Sequence, residues 1–305
     1  MTSPRYAPPT DLSAYAWLSI GAALATIGMK AFAAWLTGSV GLLSDAAESL
    51  VNLVAAVVAL IVLKISIKPA DEDHQFGHSK AEYFSAITEG VMIFAAAAFI
   101  VVSSVERIIT PVMPVQLGIG LAISVGASVI NGAVAWVLYR KGRAERSATL
   151  LADSKHLATD VVTSVAVLLG VGLVALFEMP VLDAVVALGA GLNIMWSGYK
   201  VIKESINGLM DVAPSAEALA AINEVLDRHR HEGRIDFHAV RVREAGSRRF
   251  AHIHVLVPGA WSVKQGHDFT EELIDELVRV DANLRVSAHL EPIEDPRSYE
   301  DVEDV

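Results

Sequence analysis

The chain has 305 residues, 53% hydrophobic and 19% charged, with 24 Lys and Arg against 35 Asp and Glu for a net charge of −11. A soluble domain holds about 45–50% apolar and about 25% charged residues, so a single soluble enzyme is excluded, and the acidic balance speaks against a nucleic-acid partner. Cysteine is absent, which removes disulfides, thiolate metal sites and cysteine nucleophiles and leaves His, Asp, Glu, Asn and backbone oxygen for any metal.

The apolar excess lies before residue 210. Met1–Thr10 is polar and Pro-rich, and no small-residue cleavage pattern follows the first apolar run, so no cleavable signal peptide is expected. A spanning helix needs about 20 largely apolar residues. Six stretches qualify, at 14–36, 40–64, 84–105, 116–139, 157–177 and 181–202. The breaks fall at Gly38, Pro69 to Lys80, Pro111 to Pro114, the Arg140–Lys155 run, and Glu178 to Pro180, where turn residues and charges cluster.

Basic residues set the orientation. Lys64, Lys68 and Lys80 follow the second span; Arg140, Lys141, Arg143, Arg146 and Lys155 separate the fourth from the fifth; Lys200 and Lys203 follow the sixth. The opposite loops are nearly empty, Arg107 excepted. Cytoplasmic loops accumulate Lys and Arg, so both termini are expected in the cytoplasm.

Polar residues within spans are costly and face a cavity or a partner. The second span carries Asp45, Glu48, Ser49 and Asn52 at i, i+3, i+4 and i+7, one helical face. The fifth opens with His156 and Asp160 at i and i+4. Two helices that each present such a pair can build one four-ligand N/O site for a divalent cation; the blander alternative is helix–helix hydrogen bonding. Lys30, Glu89 and Arg107 read as structural or cap charges.

From Asp211 the composition turns soluble. Ser215–His231 reads as an amphipathic helix, Phe237–Arg243 and Arg249–Val257 as strands around a turn at Glu244 to Arg248, Val263–Val280 as a helix and Leu284–Leu290 as a short strand. The order α-β-β-α-β implies a three-stranded sheet with two helices. The tail after residue 292 is acidic and is expected to be disordered. His238, His252, His254 and His289 sit in strands, His267 on a helix, and Glu291 two residues after His289. His252 and His254 share a face, and the set suggests imidazole–carboxylate metal binding. His229 and His231 read as solvated helix-end residues.

These residues resemble one family, the cation diffusion facilitators, from about residue 12 to residue 292. The most specific element is Lys-Pro-Ala-Asp-Glu-Asp-His-Gln-Phe-Gly-His-Ser-Lys-Ala-Glu at 68–82, which looks like the family's signature after the second span. Gly38-Ser39-Val40, His156-x-x-x-Asp160 and Gly-Leu-Met-Asp at 208–211 match further landmarks. The resemblance implies a bacterial zinc/iron efflux-like metal/proton antiporter in the inner membrane. It implies an α-helical protein of six transmembrane helices plus a C-terminal α+β ferredoxin-like cytoplasmic domain, divided as a tail at 1–12, a transport domain at 13–208, a metal-binding domain at 209–292 and an acidic tail at 293–305. It also implies a homodimer in the lipid bilayer, with divalent metal as substrate and regulator, zinc the leading candidate, and protons as counter-ion.

Carried over by position, the transport site is Glu48 and Asn52 with His156 and Asp160. The loop site is Asp71, His74 and His78. The cytoplasmic site is His238, His254, His267, His289 and Glu291, a binuclear cluster near the dimer interface. Lys80 and Asp211 match charges that interlock the two halves in relatives. Well-described bacterial members have two aspartates in the second span where this chain has Glu48 and Asn52. Asn52 is neutral, so two carboxylates, one imidazole and one amide still balance a divalent ion, and the set admits zinc, cadmium, ferrous iron, cobalt, nickel or manganese. Asp45 is a candidate extra ligand, or an acceptor behind the ligands. A drug transporter would need a wide aromatic pocket, a metalloprotease a His-Glu-x-x-His motif, which is missing. A non-transporting metal sensor or scaffold remains the alternative.

Overall fold

The computed structural model describes residues 10–37, 40–110, 118–177, 179 and 181–302. It divides into two units, Thr10–Asn207 and Gly208–Val305.

The first unit is six long helices: α1 Ser13–Thr37, α2 Val40–Ser66, α3 Ala81–Ile109, α4 Gly118–Glu145, α5 Ala148–Phe177 and α6 Val181–Leu209. At 1.5 Å per residue each is about 38–45 Å long, more than a bilayer core of about 30 Å requires. Among the described residues, Ser13–Phe32, Ala81–Ile109 and Ala184–Leu209 are long and apolar enough to cross a membrane by themselves. Ala16, Ile20, Ala56, Leu60, Leu138, Leu150 and Leu157 bring α1, α2, α4 and α5 into one core. Ala86, Ala152 and Val201 join α3, α5 and α6. The outer surface stays apolar: Trp35 is 79% exposed and Phe99 73%, a distribution suited to lipid, against which a soluble protein would hide such rings. Backbones of α3 and α6 approach closely. A Cβ at Gly198 would lie 2.9 Å from the Phe94 nitrogen and 3.0 Å from the Gly90 oxygen, so glycine permits the contact.

The expected break across 140–155 shrinks to a tight turn. Helix α4 runs on to Glu145, Arg146 takes a left-handed φ of 57°, and α5 begins at Ala148. The basic run stays helical because its charges pair along the helix: Lys141 Nζ meets Glu145 Oε1 at 2.7 Å, and Arg143 Nε donates to the Tyr139 hydroxyl at 3.2 Å.

The second unit contains α7 Ala216–His229, β1 Asp236–Ala245, β2 Arg248–Val257, α8 Val263–Val280 and β3 Leu284–Pro292. The Ser215 side chain caps α7, and Ser262 with Gln265 forms a capping box on α8. Strand β1 pairs antiparallel and β3 parallel with the central β2. Ala251, Ile253, Val255 and Val257 of β2 turn inward with Ile222, Leu226, Leu273 and Leu277 of α7 and α8. By the two-residue period His252 and His254 face the other way.

The tail departs from the disorder its composition predicts. Pro296–Val302 is a 3-10 helix. Ile293 donates its N–H to the Val257 carbonyl at 2.8 Å, and the Ser298 and Tyr299 hydroxyls donate to the Pro292 and Ile293 carbonyls at 2.8 and 3.0 Å. These bonds satisfy backbone groups just beyond β3, which composition cannot register.

Candidate metal-binding sites

Helix α5 carries His156, buried at 7% exposure, and Asp160 one turn on. Asn131 of α4, 2% exposed, donates through Nδ2 to Asp160 Oδ2 at 3.1 Å. Helices α2 and α5 pack together. The side chains of Asp45, Glu48 and Asn52, which lie in α2, fall outside the described residues. Sequence reasoning missed Asn131; its one signal was an amide within an otherwise apolar span.

The loop between α2 and α3 closes on Asp71. The His74 N–H donates to Asp71 Oδ1 at 2.7 Å, and Gly77, at φ 82°, donates back to the His74 carbonyl. Asp71 Oδ1 is 3.3 Å from His74 Nδ1, and its Oδ2 is 3.3 Å from His78 Nε2. The three ligand atoms lie within 4.8 Å of one another. His78 Nδ1 faces the Pro69 carbonyl at 3.2 Å; that acceptor favours a proton on Nδ1 and frees Nε2 as a donor atom. The His74 backbone N–H holds the Asp71 carboxyl below its usual value; burial opposes it in part, and the His78 imidazole adds to the lowering.

The sheet supplies the third group. Register sets His238 of β1 and His289 of β3 on either side of His254 of β2. Just after His238 the β1 register shifts, with Ala239 at φ 47°, a bulge of the kind that re-aims side chains. Glu291 Oε2 accepts from His238 Nε2 at 2.9 Å and His254 Nδ1 at 3.1 Å. These three residues offer ligand atoms within 4.8 Å of one another, with His254 and Glu291 buried. His238 Nδ1 is buried without a hydrogen-bond partner among the described residues. Two imidazoles and a carboxylate converging on one point suit a borderline divalent cation such as zinc, whose entry would displace both ring protons.

His289 stands at the edge, its Nδ1 3.7 Å from Glu291 Oε1 and its side chain 59% exposed. His252 places its ring 5.3 Å from that of His254. His267 is exposed on α8, and the structure does not bring it to the cluster. Lys80 is the N-cap residue of α3. Asp211 pairs with Arg243 at 2.7 Å within the second unit.

Comparison with known proteins agrees along nearly the whole length. Residues 16–210 match the cation efflux transmembrane domain, and residues 214–293 the cytoplasmic domain of cation efflux proteins. An uncharacterized transporter of Synechocystis sp. is 47% identical over 286 residues, 94% of this chain and 92% of its own. A cation-efflux pump, FieF, of Salmonella arizonae is 31% identical over 275 residues, 88% and 89% of the two chains. The metal-bound C-terminal domain of the CzcD transporter from Thermotoga maritima is 27% identical and covers 26% of this chain and 92% of its own, with a TM-score of 0.24. The chain belongs to the cation diffusion facilitator family, membrane transporters of divalent metal cations rather than enzymes.

Proposed function

We propose that this protein is a homodimeric metal/proton antiporter. It exports zinc, or cadmium, ferrous iron, cobalt, nickel or manganese, through six spans of the inner membrane with both termini in the cytoplasm. The transport site is Glu48, Asn52, His156 and Asp160. The observation that carries this reading is the buried His156 one turn from an Asp160 fixed by Asn131, on a helix packed against α2. A metal needs neutral imidazole and ionised carboxylate, so metal and protons compete for these atoms. Cytoplasmic metal loads the site and expels protons; protons entering from the other side displace the metal and drive the return.

The second unit, read as a ferredoxin-like domain, senses metal. Binding at His238, His254, His289 and Glu291, with His267 supplied across the dimer, biases the transport equilibrium. Asp71, His74 and His78 form a separate loop site.

The test is flux in proteoliposomes under a pH gradient, across a panel of these metals, beside Asp160→Ala and Asn52→Asp. Flux of one or two metals, abolished in Asp160→Ala and re-ranked in Asn52→Asp, is the expected result. Flux indifferent to the pH gradient rejects antiport. No flux of any metal, with tight binding at the cytoplasmic cluster, rejects transport in favour of the sensor.

A further inference from the structure

A second polar centre lies in the first unit, apart from His156 and Asp160. Glu89 of α3 is 0% exposed and Asp153 of α5 1%. Ala86, one turn before Glu89, and Ala152, next to Asp153, belong to one buried cluster where α3 packs on α5, which sets the two carboxyls along the same seam. Ser85 Oγ donates to Glu89 Oε1 at 3.2 Å. Glu89 Oε2 and Asp153 Oδ2 are buried with no hydrogen-bond partner among the described residues.

Among the described residues, no cation neutralises the pair. From α1 the polar neighbour of Asp153 is Ser19, and Lys30 stands three turns beyond it. Lys64 is in the last turn of α2, and at the end of α4 Lys141 pairs with Glu145 while Arg140 and Arg143 lie over the Trp136 and Tyr139 rings. On α3, Glu82 is engaged by Ser147, and Arg107 is in the last turn. On α5, Lys155 pairs with Glu204 of α6 at 3.1 Å, and His156 is three residues from Asp153. Lys200 and Lys203 of α6 are exposed. Two ionised carboxylates so placed would meet desolvation and mutual repulsion together, with the hydroxyls of Ser85 and Ser19 beside them but, among the described residues, no cation to offset either. A proton on one relieves both penalties.

We infer that Glu89 and Asp153 form a proton-binding pair that relays protons between the transport site and the cytoplasm. This rests on the antiport reading above. Counted from the helix starts at Ala148 and Ala81, Asp153 lies about 8 Å and Glu89 about 12 Å along, with His156 about 12 Å and Asp160 about 18 Å along α5. Asp153, His156 and Asp160 share one face of α5 at i, i+3 and i+7. When metal arrives, the proton leaving the His156 imidazole or the Asp160 carboxyl passes to the ionised oxygen of the pair. The doubly protonated pair then releases one proton to the cytoplasm and returns to its singly protonated state.

The test uses the full-length protein. Infrared difference spectra of the metal-free protein at neutral pH should show a protonated-carboxyl C=O band, lost in Glu89→Gln and in Asp153→Asn and retained, displaced, in Glu89→Asp. In proteoliposomes, Glu89→Gln should shift the pH of half-maximal metal flux by about one unit, and Glu89→Asp should restore a titration. Absence of the band, or its persistence unchanged in both amide variants, overturns the pair. A band that behaves as expected beside an unshifted pH profile overturns the relay. One extra equivalent of zinc bound by wild type and lost in Glu89→Gln overturns the proton in favour of a metal. Because the infrared measurement needs neither metal nor flux, failure of antiport in wild type is read separately.

Discussion

Asn131 Nδ2 on α4 donates to Asp160 Oδ2 on α5 at 3.1 Å, so a residue outside the proposed ligand set fixes one of its members. The bond holds one oxygen of the Asp160 carboxylate in place. Such supporting partners are worth about 10- to 100-fold in metal affinity. Asn131→Leu should raise the KM for metal by about that factor while the protein keeps its melting temperature. The second expectation follows because Asn131 Oδ1 is already buried without a partner among the described residues, so a same-sized apolar side chain removes an unsatisfied group. Unchanged flux kinetics with a lowered melting temperature would reduce Asn131 to a packing residue.

The loop site offers a pH test with a fixed sign. Asp71 is held below its ordinary value, first by the His74 N–H and then by the His78 imidazole. A depressed carboxyl orders the folded loop fully above its unfolded value, about pH 4, and loses that contribution as pH falls through the lowered one. Amide exchange across 69–80, corrected for its intrinsic rate, should therefore stay protected at neutral pH and open only in acid. Zinc should push that opening to lower pH, because bound metal opposes protonation of the same oxygens. Asp71→Asn should erase the zinc effect.

How much of this was readable in advance depends on the physics of each feature. Six helices were legible because a run of about 20 apolar residues admits few other structures. The alternation in β1, β2 and β3 was legible for the same kind of reason. It put His252 and His254 on one face, but only the strand register sets His238, His254 and His289 abreast, and register is a tertiary choice. The turn at Arg146 was not legible, since Arg140 to Arg146 looks like a loop until the i,i+4 pairing is seen. Glu89 read as a structural charge because burial depends on helix rotation, and the sequence pattern fixes that only loosely. The ordered tail was hidden because Ser298 and Tyr299 bind backbone carbonyls, which leave no compositional trace.

Ser147 ties the start of α5 to the start of α3. Its hydroxyl donates to Glu82 Oε2 and also accepts from the Leu150 N–H at 3.3 Å, with both side chains buried. Ser147→Ala leaves a buried carboxyl oxygen and a helix N–H without their partner. The expected cost is about 1–3 kcal/mol, read as a lower melting temperature in detergent. Ser147→Thr keeps the hydroxyl and should recover most of it. A neutral Ser147→Ala would mean that water replaces the hydroxyl there.

Glu291 is the hub of the cytoplasmic cluster, since its Oε2 accepts from both His238 and His254. Glu291→Gln keeps the shape but removes the charge that offsets a divalent cation, so it should abolish metal at this position. Wild type at a metal concentration 100-fold above Kd should be stabilised by about 2.7 kcal/mol, and the variant should lose most of that gain. His254→Ala, which removes a ligand atom from the buried centre, should match it. His289→Ala should cost less, because its Nδ1 is 3.7 Å from Glu291 and its side chain 59% exposed. His267 decides between one protomer and two. It stands exposed on α8, so His267→Ala should leave metal binding by an isolated protomer untouched. In the assembled protein, a lost equivalent in His267→Ala means that the partner subunit completes the site; an unchanged metal count means that His238, His254, His289 and Glu291 hold the ion without it.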